Sequence, residues 1–268
     1  MIRFDDQVVL VTGAGRGLGA AYARAFAERG ASVVVHDAGL SLDGAGGDRA
    51  IADAVAKEIG GLASYEDLRS EAGCRHLVEQ TLHAFGRLDA VVHNAGLLVF
   101  EKLDDAERNW GAVLSTSIDA AFHITRAAWE PMREQGYGRF VFTTSSRAMW
   151  LKDALVGAAA YCTGKMGAVG LMLVTAAEGA EHGIKANAIA PVAETRMLQR
   201  KVQPGELAPN LVAPGVVYLA SDRCEVNGIV VQAAGGTFNT VAWQRGAEIE
   251  CATPEELADE LEGVVRTT

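Results

Sequence analysis

The chain has 268 residues, enough for one α/β domain with a large core, and 49% of them are hydrophobic. A formal net charge of -10 opposes non-specific binding to nucleic acid or to an anionic membrane surface. No apolar run reaches the ~20 residues that span a bilayer, the N-terminus Met1-Ile2-Arg3-Phe4-Asp5-Asp6 lacks a signal-peptide layout, and the four cysteines and six histidines lack disulfide or metal spacing. A soluble, cytoplasmic protein without a metal is expected.

The first predicted strand, Val8 to Val11, is apolar without alternation, as in a strand covered on both faces. It runs into Thr12-Gly13-Ala14-Gly15-Arg16-Gly17-Leu18-Gly19, which opens a helix over 20–29 that stops at Gly30. Glycines between a strand and a helix let the backbone approach a pyrophosphate at the positive helix end. The second strand, Val33 to Val35, ends in His36-Asp37 and sets a carboxylate 18 residues past Gly19, where a ribose 2′-hydroxyl is expected. Asp37 would repel the 2′-phosphate of NADP and Arg16 would attract it. Asp37 weighs more, because NADP would cost a direct hydrogen bond and add a charge clash, so NAD is expected.

A long Gly-rich loop, Gly39 to Gly47, precedes the next elements. A helix is predicted over Glu71 to Phe85 with its stop at Gly86. The strand Ala90 to Val92 leads into His93-Asn94-Ala95-Gly96, and the strand Phe140 to Phe142 into Thr144-Ser145-Ser146-Arg147. Tyr161 and Lys165 follow, at the i, i+4 spacing that shares one helical face. An ammonium beside a phenol stabilises the phenolate and draws the tyrosine pKa down from about 10 toward the range of a general acid or base. Further strands are predicted at Ile184 to Ile189 and Ile229 to Val231. Strands alternating with helices give one doubly wound parallel sheet with helices on both faces, spanning 1–253. An acidic tail over 254–268 is a solvated helix or a frayed terminus.

Four motifs, Thr12-Gly-x-x-x-Gly-x-Gly19, Asn94-Ala95-Gly96, the serine pair and Tyr161-x-x-x-Lys165, make the chain resemble the short-chain dehydrogenases/reductases from about residue 7 to 237. The resemblance implies a single-domain Rossmann fold with a seven-stranded sheet, NAD as cofactor, and a homotetramer or homodimer. It implies that Gly13, Gly17 and Gly19 shape the phosphate turn, with Arg16 and Leu18 beside it. Asp37 would hold the adenosine ribose, Asp67 and Leu68 would flank the adenine, and Asn94, Ala95, Gly96 and Pro191 would line the cofactor. Tyr161 would be the acid/base, and Lys165 would bind the nicotinamide ribose. The long loop after Asp37 and the stretch Ile189-Ala190-Pro191 with Arg196-Met197 are most similar to the (3R)-hydroxyacyl-CoA dehydrogenase unit of peroxisomal multifunctional enzyme type 2 and its bacterial relatives.

The chain departs from the family at two positions. Ala148, 13 residues before Tyr161, stands where the family usually has its serine. Ser146 and Ser145 stand 15 and 16 before it, and Ser146 is assigned to the substrate oxygen, with two residues inserted in the loop. Ser117 stands where the family often has a relay asparagine. The expected substrate is a secondary alcohol or ketone, first a 3-hydroxyacyl-CoA, next a hydroxysteroid or other cyclic alcohol. A nucleotide-binding scaffold without turnover is the non-enzymatic alternative. Arg147, Lys152, Arg196, Arg200 and Lys201 against Asp153, Glu194 and Glu206 leave two excess positive charges (five minus three) near the expected substrate site, as an acyl-CoA would favour. Met149, Trp150, Leu151, Leu155 and Val156 form either an acyl-chain wall or a subunit interface.

Overall fold

In the computed structural model, Val9 and Val11 face one hydrophobic core with Tyr22, Phe26 and Val216, while Val8 and Leu10 face a second with Leu77, Ile124, Phe140 and Met172. A strand alternates its side chains between faces, so burial on both sides requires the unbroken apolar run seen in the sequence. Each fully buried side chain of this size contributes roughly 2 kcal/mol from apolar burial. The description covers every residue except Leu42, Asp43, Asp105, Ala106, Gln199, Arg200 and Thr268, and omits the side chains of residues 107–108 and 262–267.

The strands are β1 Val8–Thr12, β2 Ser32–His36, β3 Leu62–Ser64, β4 Ala90–His93, β5 Gly138–Thr143, β6 Ile184–Val192, β7 Val230–Ala234 and β8 Thr237–Val241. They form one sheet in the order β3-β2-β1-β4-β5-β6-β7-β8. The first seven pair in parallel, as expected, while β8 adds an antiparallel edge to β7. The sequence reading ended at Gly235-Gly236, but these residues are the two-residue turn of that hairpin. Their φ values of +55° and +81° suit glycine, and such turns match the strand twist.

Helices α1 Gly17–Ala27, α2 Ala50–Ile59 and α7 Ala213–Ala220 cover the first core. Helices α3 Glu71–Phe85, α5 Ala120–Gln135 and α6 Ala159–Gly179 cover the second. The predicted boundaries of α3 hold: the Ser70 hydroxyl caps it by accepting the Gly73 N–H at 3.1 Å, and Gly86 closes it at φ +73°. A short α4, Glu107–Leu114, runs through a π-helical turn, Ser115–Asp119, into α5. The expectation of no bilayer-length apolar run needs one amendment, because the helical run Ala159–His182 passes on length and hydropathy. One face of it packs into the second core through Ala168, Met172 and Ala176, with Lys165 also buried, while Leu173 and Val174 are exposed. The acidic tail contains α8, Pro254–Thr267, whose Leu257 and Leu261 are exposed.

The sheet order reverses direction beside β1, which has β2 on one flank and β4 on the other. In a doubly wound sheet a crevice opens there, past the carboxyl ends of the strands. Thr12 ends β1 and His93 ends β4, so both motifs meet at that crevice.

Candidate active site

Thr12 ties the two strand ends together. Its hydroxyl oxygen accepts the N–H groups of Asn94 (3.1 Å) and Ala95 (3.0 Å) and lies 3.4 Å from His93 Nδ1. His93 Nε2 lies 2.9 Å from the Ser117 carbonyl oxygen. Burial, reinforced by the Lys165 charge, pushes His93 down to about 3, so the ring is neutral at physiological pH. A carbonyl only accepts, which assigns the single ring proton to Nε2 and leaves Nδ1 to accept from the Thr12 hydroxyl. The Asn94 amide donates to the carbonyls of Thr12 (3.1 Å) and Gly13 (3.2 Å), fastening the Gly-rich turn to β4.

A cavity of about 480 Å³ covers this junction. Gly13, Arg16, Gly17 and Leu18 line it, with His36, Asp37, Asp67, Leu68, Asn94, Ala95 and Gly96, and Glu194 to Met197 border it from the segment after β6. The turn fits a dinucleotide phosphate. The first turn of α1 contains no acidic residue, and Arg16 at its N-cap makes no side-chain cap, so the electropositive end is not neutralised from within. At Gly15 an added Cβ would clash with Ile51 and lie 2.9 Å from Asp37 Oδ2, so only glycine lets the turn approach the carboxylate. Asp37 is fixed by two backbone donors, Gly15 N–H to Oδ2 (3.0 Å) and Gly39 N–H to Oδ1 (2.8 Å), and each oxygen keeps acceptor capacity for a ribose hydroxyl.

Several predicted cofactor residues have other surroundings. Gly19 packs against the Gly13 carbonyl and shapes the turn from behind rather than lining the cavity. Asp67 is paired with Arg69 at 2.7 Å, and this hydrogen bond holds its carboxyl below the usual range. Pro191 lies within β6 opposite Ala233, outside the cavity lining, and Glu194 to Met197 stand there instead. Arg196, expected near the substrate, borders the nucleotide cavity and donates to the Leu40 carbonyl at 2.9 Å, across 156 residues. Burial and the nearby Arg16 both lower its pKa, while Asp37 opposes them, so two guanidiniums share the Asp37 end. Arg200 lies outside the described residues.

At the other end, Lys165 is buried in α6 and donates from Nζ to the Thr143 carbonyl at 2.9 Å. Desolvation pushes it down to about 8. Its Nζ stands 5.8 Å from the centre of the Tyr161 ring. The expected downward pull of Lys165 on the phenol is absent from this geometry. Burial raises the Tyr161 pKa, and the groups that pull it down are the Ser145 hydroxyl and then the Arg147 charge. Desolvation outweighs a charge that faces the ring and is tied to a carbonyl.

The serine assignment also changes. Ser145, buried directly past β5, is the serine whose hydroxyl lowers the Tyr161 pKa, while Ser146 opens the next turn, Ser146–Ala148. The influence on the phenol thus comes from Ser145, where the spacing assigns Ser146. The loop insertion lies between serine and tyrosine, so spacing measured back from Tyr161 is unreliable. Counting forward from the end of β5, which the sheet fixes, would have found Ser145.

Ser117 sits in the π-helical turn. Gly164 lets α6 approach it, since an added Cβ there would stand 2.9 Å from the Ser117 Cβ. The Ser117 hydroxyl is buried with no hydrogen-bond partner, as is that of Thr143. A Cβ at Gly96 would lie 3.4 Å from Lys165 Nζ and 3.7 Å from Ser117 Oγ, so both groups border the space above that glycine. Sequence reasoning missed His93 as the group that holds the Ser117 carbonyl. A histidine in a strand-end motif carries no spacing signal for a partner 24 residues away.

Comparison with known proteins places this geometry. The family model for short chain dehydrogenases matches residues 7–206. A short-chain type dehydrogenase/reductase of Mycobacterium tuberculosis is 42% identical over 249 residues, covering 89% of this chain and 85% of that protein. Peroxisomal multifunctional enzyme type 2 of Mus musculus is 40% identical over 281 residues, covering 98% of this chain but 37% of the mouse protein. The crystal structure of a short chain dehydrogenase from Mycobacterium avium superposes with a TM-score of 0.85 at 33% identity, covering 98% of this chain and 96% of that one.

Proposed function

The chain belongs to the short-chain dehydrogenase family and is an oxidoreductase acting on CH–OH groups, and from that premise we propose that it oxidises or reduces the C3 oxygen of a 3-hydroxyacyl thioester, with NAD as its cofactor. The observation that carries the reading is that buried Lys165, whose Nζ faces the Tyr161 ring at 5.8 Å, borders the space above Gly96, a residue lining the same cavity that presents Asp37. The cofactor, when bound, supplies the hydride acceptor or donor.

In the oxidative direction Ser145 donates a hydrogen bond to the substrate oxygen and Tyr161, as phenolate, takes the hydroxyl proton. In reduction Tyr161 returns it. Lys165, buried and tied to the Thr143 carbonyl, would hold the nicotinamide ribose, while the Ser145 hydroxyl and the Arg147 charge favour the phenolate. Asp37 holds a ribose hydroxyl and disfavours a 2′-phosphate, which supports NAD over NADP. The resemblance to hydroxyacyl-CoA dehydrogenase units supports the thioester. Trp150 and the strongly exposed Leu151 and Val156 offer apolar surface to its chain.

The test is a panel of 3-hydroxyacyl-CoAs, hydroxysteroids and plain secondary alcohols with NAD and with NADP, comparing wild type with Tyr161→Phe. The highest kcat/KM should fall on a 3-hydroxyacyl-CoA with NAD and vanish in the variant. A hydroxysteroid optimum would replace the substrate assignment. Tight NAD binding with no Tyr161-dependent turnover on any panel member would leave a non-catalytic scaffold.

A further inference from the structure

The segment after β6 touches a loop that starts far from it. In the sheet β6 is separated from β2 by β5, β4 and β1, so the two strands stand four spacings apart, about 19 Å. Yet the Arg196 guanidinium donates to the Leu40 carbonyl at 2.9 Å, and both residues line the nucleotide cavity. The four residues that follow Val192 extend at most ~14 Å, so the arginine side chain and the Leu40 loop close the remaining distance. On the way Thr195 packs on the Gly-rich turn, with its Cγ2 3.1 Å from where a Cβ on Gly17 would stand. The segment therefore crosses the crevice beside β1 and is fastened on the far side of it.

Both ends of the crossing are anchored. On one side the Glu194 N–H donates to the Leu207 carbonyl at 2.6 Å and the Met197 N–H to Thr195 Oγ1 at 3.2 Å. On the other, the Gly39 N–H donates to Asp37 Oδ1 at 2.8 Å and the Gly39 carbonyl accepts the Asp48 N–H at 3.3 Å. The bond from Arg196 to Leu40 joins these two anchored pieces, and it is exposed. A bond of this kind exchanges with water at little net cost, so it can open while both anchors stay in place.

We propose that Arg196 is the latch of a strap over the nucleotide crevice: its bond to Leu40 opens for a nicotinamide dinucleotide to enter or leave, and so sets the rates of both. The latch joins protein to protein, so breaking it alters the loaded and the unloaded protein alike. A contact with no differential affinity for the two states changes rates and leaves the binding equilibrium where it was. In turnover, spent cofactor would leave through the same opening. The inference rests on the reading that NAD occupies this crevice.

Stopped-flow fluorescence of NADH with wild type, Arg196→Met and Arg196→Lys tests this without any substrate. Association is followed over a series of NADH concentrations, dissociation by displacement with excess NAD, and Kd by equilibrium titration. In Arg196→Met, which keeps an unbranched stem and deletes the donor, kon and koff should both rise by ~3- to 10-fold, as the loss of one exposed hydrogen bond predicts, with Kd within about twofold. Arg196→Lys keeps a donor and should fall between. Unchanged rates would overturn the latch. A higher koff at unchanged or lower kon would overturn it too, because the weaker Kd would make Arg196 a contact of the nucleotide itself. A wild type that binds NADPH and not NADH would overturn the NAD assignment, and the same rates measured with NADPH would then decide the latch. One that binds neither overturns both.

Discussion

The nucleotide end and the catalytic end of this site are built on opposite principles. Around the Gly-rich turn most polar groups are paired within the protein, His36 Nδ1 excepted: Asp37 with two backbone N–H groups, Asn94 with two carbonyls, and Thr12 with Asn94, Ala95 and His93. At the catalytic end the hydroxyls of Ser117 and Thr143 are buried without partners, Lys165 is desolvated, and an exposed loop carries Arg147 past the phenol. One end is preorganised largely by backbone, and the other keeps unsatisfied hydroxyls beside the tyrosine and lysine. The cost of such groups is recovered only when substrate or solvent completes them.

The sharpest way to break this contrast is Tyr161→Phe, which keeps the ring and deletes the proton carrier. We expect kcat to fall by at least ~10³-fold while the NAD Kd moves less than about threefold, measured by steady-state kinetics and calorimetry. The next largest effect separates the serines. Ser145→Ala should cost ~10- to 100-fold in kcat, whereas Ser146→Ala should stay within about twofold, because of the two serines Ser145 is the one that lowers the phenol pKa.

At the nucleotide end the losses should appear in binding. Gly15→Ala forces a Cβ against Ile51 and the Asp37 carboxylate, and the NAD Kd should rise by ~10-fold or more, with the thermal transition lowered as well by the overpacking. Asp37→Ser should weaken NAD by ~10-fold and strengthen NADP, with Arg16 and Arg196 left to meet the 2′-phosphate. Equal weakening of both cofactors would remove Asp37 as the discriminator.

The smallest effect concerns stability. Burial lowers Lys165 to about 8 from 10.5, so between those values the unfolded chain binds the extra proton and folding stability rises with pH. Below about 8 the penalty of the buried charge is present in full. Lys165→Met should therefore be more stable than wild type by about 2 kcal/mol at pH 7, after allowing for the lost hydrogen bond to Thr143, while losing activity. Denaturant melts should show this advantage shrinking toward pH 10.5, and a constant difference would contradict the burial argument.

The contrast also governs what could be read early. Strand runs, the Gly-rich turn, the α3 boundaries and the Tyr161/Lys165 spacing are local, since each is set by side-chain periodicity or by the backbone needs of a few adjacent residues. The Ser145 position, the His93 bond to Ser117 and the reach of Arg196 to Leu40 are not local. Each joins segments whose separation depends on loop length and packing, and no spacing rule encodes that.

By itself the sequence determined the doubly wound sheet, the nucleotide turn with its carboxylate, and the tyrosine and lysine on one helical face, because these follow from periodicity and glycine geometry. Only the tertiary structure decided which serine meets the phenol, that burial rather than Lys165 dominates its pKa, and that Arg147 is held between Ser145 and Cys162. Those outcomes depend on distances across the fold and on how completely water is excluded, and both are fixed when the chain packs.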